Sequence, residues 1–139
     1  MRRLNAFIAG TIVAAGVAIA TTVAYGADFA NEKELCSNQW NNFQVIRSMS
    51  GLTAPTDEQF ATFNKSAQAI VDGETARQNK FNADKNYHNI SAETAFHAGE
   101  TVKAAQVKDL EEIQVQYRWL TISCKNCHRM YRTDMKLSP

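Results

Sequence analysis

The sequence predicts an all-α fold, an antiparallel four-helix bundle behind an export segment. Three observations carry this. From Phe29 to Tyr131 apolar residues recur at spacings of three and four, the period of one helical face. Only two prolines and six glycines punctuate 139 residues, too few for the many turns of a sandwich or barrel. The connections between amphipathic segments are short, which sets successive helices antiparallel. Composition agrees. The chain is 45% hydrophobic and 21% charged, both globular values, and its length suits one domain. Its 15 Lys/Arg against 14 Asp/Glu give a net charge of +1, which excludes a nucleic-acid binder driven by bulk charge. Three cysteines are too few, and odd in number, for a disulfide scaffold.

Residues 1–26 read as a signal peptide. Arg2 and Arg3 precede an uncharged apolar run from Phe7 to Ala24, and Ala24-Tyr25-Gly26 puts small residues at the positions a signal peptidase needs. The run approaches the length that spans a bilayer, so an uncleaved anchor is the alternative. Either way, residues 27–139 form the functional domain and face an exported, oxidising compartment. Without Arg2 and Arg3, that domain has 13 Lys/Arg against 14 Asp/Glu. A domain of this size buries one modest core and gains from a bound cofactor.

Helix one is expected over Phe29–Ser50, with Phe29, Cys36, Trp40, Phe43 and Ile46 on one face and Asn31 with Glu34 as a capping box. Gly51 and Pro55 end it. Thr56 caps helix two, with Gln59 at the box position and Phe60, Phe63, Ala67, Ile70 and Phe81 as its apolar face. The polar stretch Asn79–Asn89 reads as loop, carrying a solvated His88 and, beside it, Tyr87, an aromatic that could cover the edge of a bound cofactor. Ser91 is expected to cap helix three, whose small face is Ala95, Gly99, Val102 and Ala105. A single helix from Ser91 to Tyr131 would be about 60 Å long, far longer than helices one and two could cover. The break is placed at Lys108-Asp109, where Asp109 caps helix four with Glu112 at the box position. Leu110, Ile113, Tyr117, Leu120, Cys124, Cys127 and Tyr131 then alternate spacings of three and four, the clearest helical signal in the chain.

The chemistry lies at the end of that helix. Cys124-Lys125-Asn126-Cys127-His128 is C-x-x-C-H, the attachment sequence of c-type haem. Two thiols one turn apart can add across the two vinyl groups of a porphyrin, and the following imidazole then lies under the iron. A thioredoxin-like disulfide would need a βαβ context the chain lacks. A zinc site would need a fourth ligand, and His88 and His97 show no matching spacing.

The run Cys124-x-x-Cys127-His128-x-x-Tyr131-Arg132, in the last helix of a small exported bundle with Tyr117 seven residues before the first Cys, resembles the cytochrome c′ family. The resemblance implies a single haem c near the C-terminus, with Cys124 and Cys127 as covalent attachments, His128 as proximal iron ligand and Arg132 lining the proximal pocket. It also implies that helix one sets the other face of the iron. High-spin members leave the iron five-coordinate and open to nitric oxide or carbon monoxide, whereas low-spin members supply a Met and carry electrons. A homodimer through helix one is likewise implied only by the resemblance.

In an antiparallel bundle the haem faces the N-terminal half of helix one, roughly Asn31–Trp40, which contains no Met. Met49 lies 13 residues beyond Cys36, about 20 Å along the axis, and reads as core packing. Met130 and Met135 are not placed to ligate. Leu35 and Trp40 are the candidate distal-pocket residues, with Cys36 and Gln39 as neighbours; as plain core side chains they need no further role. Cys36 reads as a buried thiol, with an intermolecular disulfide and thiolate ligation as its alternatives. His97, read as lying at the haem end of helix three, is the candidate sixth ligand; its plainer reading is a surface or propionate-contacting histidine. Gly99 reads as a close-packing point. Lys125 and Arg129 flank the attachment turn and could steer partners, beside the plainer reading of a solvated face.

The sequence therefore predicts an exported, periplasmic monohaem cytochrome transferring electrons between redox partner proteins, or alternatively a five-coordinate haem protein binding nitric oxide or carbon monoxide. Membrane association is expected only if the signal segment stays uncleaved. Catalysis lacks a recognisable distal acid–base pair, so no enzyme is predicted.

Overall fold

The computed structural model describes residues 29–81 and 84–131. The expected signal segment 1–26, Arg132 and Met135 lie outside them. Four helices follow in order: α1 (Glu32–Met49), α2 (Asp57–Lys80), α3 (Lys85–Gln106) and α4 (Leu110–Tyr131). No strand occurs among the described residues, and no helix among them is long and apolar enough to cross a membrane.

Each boundary has a local cause. Asn31 caps α1, its side chain accepting from the Glu34 N–H at 3.0 Å, while the Glu34 carboxylate reaches the Ala30 N–H instead of closing the box on Asn31. Thr56 and Gln59 make the full reciprocal capping box of α2. Asp109 caps α4 through the Glu112 N–H, as the sequence predicts. The α3–α4 turn is a Schellman closure: Lys108 takes φ 59°, its N–H bonds the Ala105 carbonyl, and the Asp109 N–H bonds the Ala104 carbonyl. A lysine there replaces the usual glycine, which is why the break left no Gly or Pro in the sequence.

Two sequence expectations are corrected. α3 starts at Asp84, whose carboxylate accepts from the Asn86 and Tyr87 N–H groups, not at Ser91. Tyr87 and His88 therefore sit in its first turn, and the expected loop Asn79–Asn89 instead overlaps the end of α2 and the start of α3. The buried face of α3 is also rotated by one residue. It runs Tyr87, Ser91, Thr94, Ala98, Thr101 and Ala105 instead of following Ala95, Gly99 and Val102. Hydroxyls can line a buried face because they bond locally: Thr94 and Thr101 donate to the carbonyls four residues back, and Thr94 meets Ser123 of α4.

Sequential helices pack side by side, α1 on α2, α2 on α3 and α3 on α4. The core centres on Ile46, Phe63, Ile113 and Leu120, all fully buried. α1 and α4 close the bundle near the α1–α2 turn, where Phe43 stacks on Tyr117 at 5.6 Å and the Gln114 amide donates to the Ser50 and Leu52 carbonyls. Met49 packs against the core, as expected.

Candidate functional site

Toward the C-terminal end of α4, a cavity of about 570 Å³ stands between the helices, a size typical of ligand sites. Cys124, Cys127, His128 and Tyr131 form its α4 wall. Opposite them α1 presents Cys36, Trp40 and Phe43, spaced four and three and so on one line of the helix. Ile70, Glu74 and Arg77 come from α2, and Tyr87, Ile90, Ser91 and Thr94 from α3.

The wall combines apolar rings with a buried polar network. Glu74, 5% exposed, accepts from Gln39 Nε2 at 2.8 Å and from the Ser91 hydroxyl at 2.6 Å, and pairs with Arg77 Nε at 3.0 Å. Burial raises the Glu74 carboxyl above its usual range, while the Arg77 charge pulls it back down. Arg77 Nη1 donates to the Tyr87 hydroxyl at 2.6 Å, and its Nη2 lies 3.7 Å from Cys36 Sγ. Burial opposes the Arg77 charge, but Glu74 and Tyr87 hold the guanidinium protonated. Tyr87 also donates to Glu32, and burial lifts its hydroxyl above the usual tyrosine value. At the mouth of the same end, the Tyr131 hydroxyl donates to the Asp84 carboxylate at 2.7 Å. Burial pushes the Cys124 thiol up to about 12 and raises Cys127 as well.

The sequence candidates are partly brought together. Cys124, Cys127, His128 and Trp40 share the cavity. Leu35 does not line it. Leu35 is fully buried eleven residues before Ile46, three turns along the same core-facing line, whereas the cavity faces the line of Cys36, Trp40 and Phe43. His97 is also corrected. Because α3 begins at Lys85, His97 is its thirteenth residue, not its sixth. Its Nδ1 lies 2.7 Å from Gln116 Oε1 and its ring stacks on Trp119. Gln116 and Trp119 precede His128 by 12 and 9 residues, roughly 18 and 14 Å along α4, so His97 is not placed as a sixth ligand.

The sequence reading does not single out Phe43, Arg77 and Glu74 as site residues, whereas Tyr87, the candidate cover for the haem edge, lines the cavity. For Phe43 the signal was present, since it continues the Cys36–Trp40 line. Nothing local marks Glu74 and Arg77, because their burial depends on the other helices.

The residues fit a haem. Two free thiols one turn apart adjoin an imidazole, aromatic rings face them, and the buried Gln39 Oε1 in the wall has no hydrogen-bond partner. No group of three or more His, Cys, Asp or Glu side chains able to hold a bare metal ion occurs among the described residues. A protein-family model described as Cytochrome C' matches residues 20–132, across all four helices and the C-x-x-C-H motif. Comparison with curated proteins returns no match.

Proposed function

The chain belongs to the cytochrome c′ family of c-type haem proteins, and from that premise we propose how its residues hold and use the cofactor. Haem c with its iron, covalently attached, is the family's cofactor; when bound it supplies a one-electron couple and an axial position for small ligands wherever the protein leaves one. Cys124 and Cys127 make the two thioether bonds and His128 supplies the proximal imidazole. Arg132, which the resemblance implies for the proximal pocket, lies outside the described residues. Lys33 and Arg77 are the lining cations for the porphyrin carboxylates. The Glu74–Arg77–Tyr87 network keeps the polar wall in one arrangement, because each member is held by at least two others.

The protein acts as an exported electron carrier of the periplasm, with residues 1–26 as its signal peptide and 27–139 as the bundle. Family members are generally haem carriers and not enzymes, and are typically exported. Redox proteins are its partners, and Lys125, exposed beside the attachment turn, supplies charge for steering them. The observation that carries this reading is that Cys124, Cys127 and His128 line a single ligand-sized cavity.

One observation favours a second role for the same site. Among the described residues lining the cavity there is no Met, and His128 is the sole His. On the α1 wall Trp40 and Phe43 present rings that offer the iron no ligand, and the Cys36 thiol beside them lies 3.7 Å from Arg77 Nη2. The second role is binding of nitric oxide or carbon monoxide on that side.

Optical spectra of the haem-loaded protein, ferric and ferrous, with and without carbon monoxide, test both. A broad ferrous Soret band that sharpens with carbon monoxide supports the open site. Sharp α and β bands indifferent to carbon monoxide overturn it and leave electron transfer alone. Absence of covalent haem overturns both.

A further inference from the structure

The partners of Glu74 suit both of its protonation states. As a carboxylate, its Oε1 accepts from Gln39 Nε2, while its Oε2 accepts from the Ser91 hydroxyl at 2.6 Å and faces Arg77 Nε at 3.0 Å. The Ser91 Oγ also lies 3.3 Å from the Glu74 main-chain carbonyl. A hydroxyl is donor and acceptor at once. When Oε2 carries a proton, the Ser91 hydrogen turns to that carbonyl and the Ser91 oxygen accepts from the carboxylic acid. Arg77 keeps partners through the change, because Glu32 Oε1 lies 3.6 Å and the Tyr87 hydroxyl 2.6 Å from its Nη1. The wall therefore holds Glu74 charged or neutral without stranding Ser91 or Arg77, a freedom that a purely structural ion pair does not need. Ser91 also gives the proton a way in. It is buried, but its Oγ lies 3.5 Å from Nε2 of the exposed Gln78.

The other titratable groups of this wall are differently placed. On α1, Glu32 is half exposed and Lys33 exposed, so water screens both, and Cys36 lies against Arg77. On α3, Tyr87 donates to Glu32. On α4, Cys124 and Cys127 are committed to thioether bonds and His128 to the iron, and Tyr131 donates to Asp84. Glu74 is thus the buried carboxyl among the described residues lining the cavity. Its charge reaches the attachment turn. Burial raises the Cys124 and Cys127 thiols most, and the Glu74 carboxylate adds to the rise of each. A cavity of about 570 Å³ is roughly 10 Å across, and at an effective dielectric of about 20 a unit charge that far away changes a proton equilibrium on the order of tenfold. Burial already raises the Glu74 carboxyl above its usual range, so added negative charge meets a group ready to bind a proton.

We infer that Glu74 takes up a proton when the site accepts an electron and releases it when the electron leaves, so that this protein moves a proton with the electron it carries. The inference rests on the electron-carrier reading. The step balances: one electron comes from a redox partner protein, and one proton comes from solvent past Gln78 and Ser91 to Glu74 Oε2. The one bond formed in the chain is the O–H bond of the Glu74 carboxylic acid, and oxidation breaks it again. Glu74 is a positioning residue for charge, since it acts on the site through its field and not by contact with the iron.

Spectroelectrochemical titration of the full, haem-loaded protein from about pH 5 to about pH 9 tests it. The midpoint potential is expected to fall as pH rises, by up to about 59 mV per pH unit over part of this range, which corresponds to one proton per electron. Glu74→Gln is expected to remove that slope. The haem carboxylates also titrate, so an equal slope in Glu74→Gln overturns the inference. A wild-type potential independent of pH overturns it as well, while reversible reduction in the same cell leaves the electron-carrier reading standing. Infrared difference spectra of the wild type, reduced minus oxidised, do not depend on any variant folding. They are expected to show a protonated-carboxyl band gained on reduction, and its absence throughout the range overturns the inference. A site that accepts no electron overturns both the inference and the reading beneath it.

Discussion

Glu74 and Arg77, one turn apart on α2, meet at 3.0 Å in the wall of the cavity, and each is less than a tenth exposed. A buried pair of this kind is weak support for stability as a pair, but removing one member strands the other. Arg77→Ala is expected to cost about 3–5 kcal/mol in chemical denaturation. Glu74→Gln with Arg77→Met is expected to recover most of that loss, since no unpaired charge remains. A double variant as unstable as Arg77→Ala would show that the wall needs the charges themselves.

The same pair predicts a pH dependence. Burial raises the Glu74 carboxyl above its ordinary 4.5, so the folded state binds its proton more tightly than the unfolded state. The contribution is fully present below 4.5 and is lost as pH rises through the folded value. Wild type is therefore expected to gain stability relative to Glu74→Gln as pH is lowered from 8 towards 4.5. Parallel melting-temperature profiles for the two proteins would contradict this.

Attachment is tested on single thiols. Cys127→Ser is expected to leave one thioether bond, read as a red-shifted α band in the reduced pyridine complex. Two-thioether spectra from that variant would refute the assignment of Cys127.

The distal wall is tested by two substitutions. Phe43, 7% exposed and stacked on Trp40 and Tyr117, is expected to cost about 3–5 kcal/mol as Phe43→Ala and to speed carbon monoxide binding by widening the α1 side of the cavity. His97→Ala is expected to leave the ferric and ferrous spectra unchanged. A low-spin to high-spin change on His97→Ala would restore it as an iron ligand.

Lys108 holds φ 59°, a conformation that penalises a side chain and suits glycine. Lys108→Gly is expected to raise stability by about 0.5–1 kcal/mol in urea titrations, while Lys108→Ala does not. The Lys108–Asp57 ion pair lost in both variants is exposed and contributes little.

The chain by itself specified α4 and the attachment turn, because both are local. A sustained alternation of three and four sets a helical face without reference to any other segment, and C-x-x-C-H is contiguous in sequence. Helix number, the Thr56 and Asp109 caps and the Lys108 break were legible for the same reason. The start of α3 was not, since Asp84 and Ser91 are both good caps and only burial of Tyr87 against Arg77 and Glu32 decides between them. That choice sets His97 outside the lining of the cavity. Leu35 and Cys36 are neighbours in sequence, one facing the core and the other the cavity, and periodicity cannot assign a boundary between two adjacent faces. Glu74 and Arg77 read as surface charges on α2. They are buried because Gln39, Tyr87 and Ser91 arrive from two other helices to satisfy them, and only the packed bundle brings those partners together.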